Sequence, residues 1–341
     1  MAFRKNSFKI LVLPGDGVGP EVIAEALKVL QAVSEASNIE FDISEALFGG
    51  CSIDVHGIAI TDEVMKSARE ADAVLAGAVG GPKWLVNHDL QHCILIDPRG
   101  TGKIRPEEGL LQLRHGLQAY ANLRPCRFAS KSLHHLSALP HHVVDGTDFV
   151  IVRENCGGAY FGTKVEEEDF ASDSWAYSRT EVERISHVAA SLALEHSPPL
   201  KVISSDKANV LASSRLWRRV VSETFARHYP QITLSHQLAD SAAMMMMRNP
   251  KSFNGILLTD NTYVMQQIWM NRVLIFLSFG DILSDEASVI PGSLGLLPSA
   301  SLSGVPADGV KIKGFYEPVH GSAPDIAGRG QFCTIVIRLR V

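Results

Sequence analysis

The sequence lacks both the long apolar run of a membrane protein and the excess of basic charge typical of a nucleic-acid-binding protein. Its most apolar stretch, Thr262–Ser278, is interrupted by two glutamines, an asparagine and an arginine and is shorter than the ~20 apolar residues of a membrane span. The formal net charge is -5 at pH 7, so an anionic ligand would be bound by local arginines. We therefore expect no membrane and no nucleic-acid partner.

Cysteine is scarce, and its pattern argues against two common kinds of site. The five cysteines are odd in number and form no Cys-x-x-Cys pair, which disfavours both a zinc knuckle and a disulfide framework. The stretch Met1–Lys9 leads directly into the apolar run Ile10–Leu13 without the apolar segment of a signal peptide. We expect a cytoplasmic protein with reduced thiols.

The remaining composition is that of a globular enzyme of about two domains. The chain has 341 residues, of which 46% are hydrophobic and 20% charged, so wholesale disorder is disfavoured. Strand-like runs alternate with helical patterns, which predicts an α/β fold with parallel strands. The predicted strands are Ile10–Leu13, Ala73–Ala76, Phe149–Val152, Val202–Ser204 and Gly255–Leu258. The predicted helices are Glu21–Ser34, Asp62–Glu70, Ser213–Arg227 and Ser241–Arg248.

The glycine cluster Gly15–Gly19 follows the first predicted strand but lacks the spacing of a dinucleotide-binding loop. The motif Gly-x-Gly-x-x-Gly would require a glycine at position 20, where the sequence has Pro20. Proline fits the first turn of a helix. The cluster therefore predicts a tight strand-to-helix turn rather than a Rossmann nucleotide site.

Two further clusters favour structural roles. The run Met244–Met247 has the character of helix core and filler. The pairs His134-His135 and His141-His142 lie in a connection rich in Leu, Pro and Ser. For these histidines a solvated loop is favoured over a metal-ligand cluster.

Three arginines and a tyrosine are candidate substrate-binding residues. Guanidinium groups at positions 114, 124 and 153 could hold two carboxylates through paired hydrogen bonds, although any one of them alone is more often an ordinary surface residue. Tyr160 lies within the glycine-flanked run Gly157–Gly162, where it could approach a ligand closely. This pattern indicates an acidic small-molecule substrate.

A lysine and three aspartates complete the candidate set. Lys207 follows a predicted strand end, where ligand sites of α/β proteins cluster. Asp281 and Asp285 are four residues apart, so a helix would place both on one face as hard oxygen ligands, with Asp240 as a candidate third ligand. Solvated helices commonly carry the same spacing, so both a metal site and a solvated face fit the pattern.

Together these motifs resemble the isopropylmalate and isocitrate dehydrogenase family, most closely its fungal isopropylmalate branch. The segments that carry the resemblance are Leu13–Val22, Gly77–Trp84, Arg105–Arg114, Asp206–Leu211, Phe279–Ser301 and Glu317–Gly328. The resemblance covers most of residues 8–330. It implies the family's two-domain α/β fold, not a Rossmann fold, with one domain at 1–119 and 292–341 and the other at 120–291.

The resemblance implies the NAD-dependent oxidative decarboxylation of 3-isopropylmalate to 4-methyl-2-oxopentanoate in leucine biosynthesis. The residues that would bind the two carboxylates of the substrate are Arg114, Arg124 and Arg153. The residues that would form an apolar wall for the isopropyl group are Leu110, Leu111 and Val210. Relatives that oxidise isocitrate place polar residues there. A paralogue in secondary metabolism, acting on another apolar 3-substituted malate, would keep the same wall.

The resemblance divides the chemistry between two subunits of a homodimer with shared active sites. Asp281 and Asp285, with Asp240 of the partner subunit, would hold Mg²⁺ or Mn²⁺. Lys207 of the partner subunit would remove the hydroxyl proton during hydride transfer, and Tyr160 would protonate the carbanion after decarboxylation.

The resemblance also implies a binding site for NAD. The residues that would bind it are His320, Gly321, Ser322, Ala323, Asp325 and Asn209. Asp325 could accept hydrogen bonds from ribose hydroxyls but would repel a 2′-phosphate, which favours NAD over NADP.

Three stretches depart from the family pattern, at 85–99, 262–278 and 331–341. We interpret them as translated introns or exon-boundary errors, and the alternative is a diverged paralogue with real loop insertions. Surface insertions cost little, but an apolar insertion beside metal ligands is not an ordinary loop. The last stretch also replaces a family asparagine that contacts adenine. The rival to an active enzyme is therefore a catalytically silent chain, although all the candidate catalytic and metal residues are present.

Overall fold

The structure, a computed structural model, describes residues 7–84, 105–261, 268–270, 273–275, 280–307 and 310–330. The divergent stretches 85–99 and 331–341 lie outside the described residues, as does 262–278 apart from two short strands. Two compact units are present, one formed by Met1–Gln118 with Lys313–Arg340 and the other by Ala119–Ile312. The sequence-based division assigns residues 292–341 to the first domain, and it stays a prediction.

Helices and strands alternate along the chain. The first elements are β1 (Ser7–Leu13), α1 (Gly19–Ala36), β2 (Glu40–Glu45), α2 (Gly50–His56), α3 (Asp62–Glu70), β3 (Ala73–Ala76), α4 (Pro106–Gly116), β4 (Ala121–Arg127), α5 (His141–Val144), β5 (Asp148–Glu154), β6 (Lys164–Glu166) and β7 (Ala171–Asp173). They are followed by α6 (Arg179–Leu194), β8 (Val202–Asp206), α7 (Ala212–His228), β9 (Leu234–Leu238), α8 (Ala239–Arg248), β10 (Gly255–Thr259), β11 (Ile268–Met270), β12 (Val273–Ile275), α9 (Gly280–Glu286), β13 (Pro298–Leu302) and β14 (Gly314–Pro318).

The first unit is built on parallel strands in the order β2-β1-β3-β14. Helical crossovers cover a parallel sheet on its faces, which is why β1 and β3 are short apolar runs. Ile10 and Val12 of β1 are buried against Ile23 of α1. Thr61 caps the start of α3 by accepting a hydrogen bond from the amide of Val64.

The second unit contains a mixed sheet in the order β13-β4-β5-β10-β8-β9. Strand β4 runs antiparallel to β5 and to β13, whereas β5, β10, β8 and β9 are parallel to one another. Helices α6 and α7 contribute much of the core, including Ile185 and Trp217. Helix α6 begins with a capping box between Ser178 and Glu181.

The structure confirms the predicted α/β fold and contains every helix and strand predicted from the sequence. The sequence did not predict β4 and β13, the strands that make the second sheet mixed. The cause is their composition, because β4 contains an Arg-Pro pair and β13 has the sequence Pro-Ser-Ala-Ser-Leu. Such strands do not form the apolar run from which a buried strand is recognised.

Two structural interpretations need correction. Met246 is fully buried in α8, but Met244 is 53% exposed, so the methionine run is only partly core. The connection with two histidine pairs is not simply a solvated loop. It forms a 3-10 turn at Lys131–Leu136 and the short helix α5, and His134 is buried. Within the described residues, no helix has the length and apolar character needed to cross a bilayer.

Candidate active-site residues

Arg124 and Arg153 lie on one face of the second sheet, on neighbouring antiparallel strands. The register places Asn122 of β4 opposite Arg153 of β5. Arg124 follows two residues after Asn122 and so shares its face. Diagonal neighbours of this kind have Cα atoms roughly 7–8 Å apart. Both arginines are buried, at 7% and 2% exposure.

Buried polar residues fix the position of the Arg124 guanidinium. Its Nε donates to Oδ1 of Asn122 at 3.1 Å, and its Nη1 donates to Ser284 Oγ and to Asp285 Oδ1, both at 2.7 Å. Asn122 is itself held by two serine hydroxyls of β13. Strand β13 therefore orients an arginine through an amide that the sequence did not mark as functional.

Asp281 and Asp285 occur four positions apart in α9, as predicted. The side chain of Asp281 lies outside the described residues. The side chain of Asp285 is 47% exposed although it accepts a hydrogen bond from Arg124. Aspartate carboxylates are hard oxygen donors, so this end of α9 suits Mg²⁺ or Mn²⁺ better than a soft metal.

Asn261 connects Arg153 with the glycine-flanked tyrosine segment. Its Oδ1 accepts hydrogen bonds from Nε of Arg153 at 2.9 Å and from a second guanidinium nitrogen. Its Nδ2 donates to the carbonyl of Gly157 at 3.0 Å, and its backbone amide donates to the Tyr177 hydroxyl at 2.8 Å. The half-buried Tyr160 lies three residues beyond that glycine. Sequence reasoning missed Asn261, whose only signal was a Thr-Asp-Asn run at the end of a predicted strand.

Glu154 follows Arg153 and is completely buried. It forms an ion pair with Arg184, whose guanidinium lies 4.4 Å from the centre of the Tyr120 ring. Burial raises the pKa of Glu154 to about 7, against the opposing effect of Arg184. Because successive side chains of a strand alternate between faces, this pair supports β5 from the face opposite Arg153.

Lys207 and Asp240 contact each other in the second unit. Lys207 follows β8 and donates from Nζ to Oδ2 of Asp240, near the start of α8, at 2.7 Å. Their side chains are 10% and 28% exposed. Partial burial raises the pKa of Asp240, but hydrogen bonds from Lys207 and Ser241 outweigh it, and the net pKa is lowered. The pair combines a proton acceptor with a neighbouring cation.

The turn that carries Lys207 is anchored by Asp206. Both oxygens of this buried carboxylate accept hydrogen bonds from Arg218 at 2.8 Å, and one also accepts from the amide of Ala208 at 2.9 Å. The two predicted ligand-binding residues that follow, Asn209 and Val210, are exposed, Val210 at 62%. The apolar wall that would include Val210 stays a prediction.

Arg114 of the first unit lies near the end of α4, next to Leu110 and Leu111, which are partly buried. It forms an ion pair with Glu317 of β14. The two side chains are only 13% and 8% exposed. The sequence did not identify this acidic neighbour, because Glu317 lies far along the chain.

The predicted cofactor loop of the first unit packs on the glycine cluster after β1. Ser322 donates from Oγ to the carbonyl of Gly80 at 2.8 Å, and its own carbonyl accepts from the amide of Val18 at 2.8 Å. Gly17 has φ +58°, and a Cβ there would overlap the Ser322 carbonyl oxygen. The cluster forms the predicted tight turn, and its glycines are required by close backbone contact.

The remaining residues of the cofactor loop differ in exposure. Gly321 and Asp325 are exposed, whereas His320 is half-buried. Burial lowers the pKa of His320, although the Gly321 carbonyl near Nδ1 opposes this effect. Ala323 adopts φ +37°, a conformation that side chains rarely take. The exposed backbone of Gly321 and the exposed carboxylate of Asp325 on one loop are compatible with binding a nucleoside.

The chain is similar in sequence and in fold to known proteins. A family profile described as isocitrate/isopropylmalate dehydrogenase matches residues 9–337. The 3-isopropylmalate dehydrogenase of Hapsidospora chrysogena is 51% identical over 332 residues, which cover 95% of this chain and 79% of that protein. The isocitrate dehydrogenase of Methylococcus capsulatus has a TM-score of 0.71 at 28% identity, over 96% of this chain and 81% of that chain. A protein of Thermus thermophilus has a TM-score of 0.70 at 28% identity, over 95% of this chain and 55% of that chain.

Proposed function

The chain belongs to the isocitrate/isopropylmalate dehydrogenase family, and we infer that it catalyses the 3-isopropylmalate dehydrogenase reaction of leucine biosynthesis. The reaction oxidises the C2 hydroxyl of 3-isopropylmalate and releases one carboxylate as carbon dioxide. The observation that best supports this inference within the fold is the placement of Arg124 and Arg153 on one sheet face. A substrate with two carboxylates matches two neighbouring guanidinium groups.

We propose that the arginines bind and orient the substrate before chemistry. Arg124 and Arg153 are held by buried amides, so little side-chain entropy is lost when a carboxylate binds. Arg114 is the proposed third carboxylate-binding residue. It would have to share its charge between the substrate and Glu317, with which it is paired in this structure.

Asp281, Asp285 and Asp240 are the proposed metal-binding residues, and the exposed carboxylate of Asp285 supports this assignment. When bound, Mg²⁺ or Mn²⁺ would polarise the oxygens at C1 and C2 of the substrate, and NAD would accept the hydride. Arg124 contacts Asp285. It would therefore align the metal-binding helix with the substrate carboxylate.

Lys207 and Asp240 are proposed to move the hydroxyl proton. Once Lys207 has released its own proton, its neutral Nζ would accept the proton of the C2 hydroxyl as hydride leaves C2, and the adjacent Asp240 would stabilise the resulting ammonium group. The hydroxyl of Tyr160 would then donate a proton to C3 after the carboxylate is lost. The glycine-rich backbone around Tyr160, held through Asn261, would position that hydroxyl.

The proposed assembly is a homodimer in which Lys207 and Asp240 serve the active site of the partner subunit. The exposure of Asn209 and Val210 on the same turn supports this arrangement, because an apolar wall residue is expected to be covered. A cytoplasmic location remains part of the proposal.

The proposed cofactor is NAD, bound by the loop of the first unit that contains His320 and Ser322. The exposed carboxylate of Asp325 supports NAD over NADP, because it would repel a 2′-phosphate. The proposed apolar wall of Leu110, Leu111 and Val210 supports 3-isopropylmalate over isocitrate.

The function is tested by following NADH formation from 3-isopropylmalate with NAD and Mg²⁺ or Mn²⁺, using the full chain. We expect turnover with this substrate and little with isocitrate, the matched control. Faster turnover of a malate with another apolar 3-substituent would identify a paralogue of secondary metabolism. A folded chain that binds NAD and substrate without producing NADH would identify a catalytically silent member of the family.

A further inference from the structure

The connection between β4 and β5 carries a cluster of metal-ligating groups that the proposed reaction does not use. Nδ1 of His134 lies 2.9 Å from Nε2 of His141 and 3.9 Å from Oδ1 of Asp145. One ligand atom from each of the three residues lies within 4.8 Å of the other two. We propose that His134, His141 and Asp145 bind a divalent transition-metal ion of the zinc type.

The local backbone explains why the three side chains converge. His141 and Asp145 are four residues apart on one helical turn, where the amide of Asp145 donates to the carbonyl of His141 at 2.9 Å. Residues at this spacing share a helix face. His134 comes from the preceding 3-10 turn, and its ring packs against Phe128 with the ring centres 4.3 Å apart. The buried imidazole is thus held with Nδ1 towards the other two ligands.

The rest of the second unit holds this connection in place. Lys251 donates from Nζ to the carbonyl of His142 at 3.1 Å, on the helical turn that carries two of the ligands. The amide of Ser137 donates to the carbonyl of His134 at 3.2 Å. A Cβ on Gly292 would overlap the carbonyl of Leu136, which shows how closely the chain packs there. A metal ion would therefore meet a largely formed site.

Two imidazole nitrogens and one carboxylate oxygen match the three-ligand sites that zinc uses with water as the fourth ligand. Mg²⁺ prefers oxygen ligands alone, so this site differs in chemistry from the proposed aspartate site. Tetrahedral ligands about 2.0–2.1 Å from zinc lie roughly 3.3 Å apart. The histidine pair at 2.9 Å would open slightly. Asp145, whose side chain is 49% exposed, can rotate inward from 3.9 Å.

A metal ion at this position would brace the connection between the two strands that carry the arginines. It would join the 3-10 turn after β4 to α5, which precedes β5. An ion that binds only the folded chain stabilises it by mass action. We therefore expect zinc to raise the thermal unfolding midpoint and leave the specificity for substrate unchanged.

The experiment measures Zn²⁺ binding to the full chain by equilibrium dialysis in excess Mg²⁺, which should compete for the proposed aspartate site. We expect one saturable Zn²⁺ per chain, and Co²⁺ in its place should give the visible absorption of a tetrahedral complex. His141→Ala and Asp145→Asn should each weaken Zn²⁺ binding by more than about tenfold. Both residues are exposed, so these variants should fold.

His142→Ala and His135→Ala are the matched controls, because both histidines are exposed and lie next to the ligands in sequence. They should bind Zn²⁺ like the unchanged protein. Equal affinity and stoichiometry in His141→Ala and the unchanged chain would overturn the proposal. So would the absence of saturable binding, which would leave the histidine pair as a hydrogen bond between two imidazoles.

Discussion

Two regions of the molecule are held in place by different kinds of contact. One is the sheet face of the second unit that carries Arg124 and Arg153, and the other is the proposed cofactor loop of the first unit around Ser322. Arg124 and Arg153 are fixed by side-chain amides, mainly Asn122 and Asn261, inside the protein. The loop around Ser322 is fixed mainly through backbone groups: its carbonyl accepts from the Val18 amide, and its hydroxyl donates to the Gly80 carbonyl. Side-chain identity thus determines the proposed substrate site, whereas backbone conformation determines the proposed cofactor site.

This contrast predicts which substitutions affect which ligand. A change on the sheet face should alter turnover or the KM for the acidic substrate. A change in the glycine turn should alter the KM for NAD.

Lys207→Ala should reduce turnover by roughly 10²–10⁴-fold, the contribution of a positioned proton-transfer group. The substrate should still bind, because the arginines that hold its carboxylates are unchanged. Steady-state kinetics and direct substrate titration separate the two effects. The matched control is Lys201→Ala, an exposed lysine whose ammonium contacts only the Ser252 carbonyl among the described contacts. Near-normal turnover in Lys207→Ala would remove this lysine from the base role.

Asn261→Ala should reduce kcat/KM for 3-isopropylmalate by about 10–100-fold, which corresponds to the ~1–3 kcal/mol of a lost buried hydrogen-bonding group. The variant leaves Arg153 in place but removes the amide that orients it. The KM for NAD should stay within about twofold. Asn249→Ala, at an exposed asparagine after α8, is the control. Equal losses for NAD and substrate would mean that Asn261 supports the whole unit instead of one arginine.

Gly17→Ala should raise the KM for NAD several-fold and change the KM for 3-isopropylmalate little. The new methyl group would overlap the Ser322 carbonyl at a residue with φ +58°, where an L-residue costs roughly 1–2 kcal/mol even without a clash. Gly57→Ala is a matched control, since Gly57 has φ +75° but nothing within 4 Å of its Cβ position. If both variants behave alike, backbone strain alone is the cause and the contact with Ser322 is unimportant.

The sequence predicts the elements of the fold better than the contacts of the site. The turn at Gly15–Gly19 follows from local spacing, because glycine and proline restrict the backbone within a few residues. The partners Asn122, Asn261 and Glu317 could not be predicted in the same way. Asn122 lies only two residues from Arg124, but the serines of β13 that hold its amide lie far along the chain, as Asn261 and Glu317 do from their arginines. Such pairings depend on a register that one sequence does not specify.

The histidine connection shows a second limit of sequence reasoning. Two His-His pairs in a Leu-, Pro- and Ser-rich segment favour a solvated loop. The structure instead buries His134 beside Phe128 and turns it towards His141. Burial of one ring depends on a neighbour from the end of β4, and spacing alone does not reveal that contact.

Glu154→Gln should leave turnover nearly unchanged and alter only the pH dependence of stability. Glu154 lies on the face of β5 opposite Arg153, and burial raises its pKa to about 7 from an ordinary value of 4.5. Arg184 opposes this rise, and Glu181 adds to it. The folded chain therefore binds this proton more tightly than the unfolded chain does. The stability that the proton contributes is complete below pH 4.5 and is lost as pH rises through about 7.

The measurement is the free energy of unfolding in urea for both chains between about pH 5 and about pH 8. The stability of the unchanged chain relative to Glu154→Gln should fall across this range, because the glutamine cannot ionise. Glu154→Gln also loses the ion pair with Arg184, which shifts the difference in unfolding free energy between the two chains at high pH. The sign of the change in this difference with pH, and not its size, is therefore decisive. A constant difference, or one that grows with pH, would show that Arg184 outweighs burial and keeps Glu154 ionised. Glu154 and Arg184 would then form an ion pair at every pH in the range, on the face of β5 opposite Arg153. Glu154→Gln would weaken β5 and, through it, the placement of Arg153.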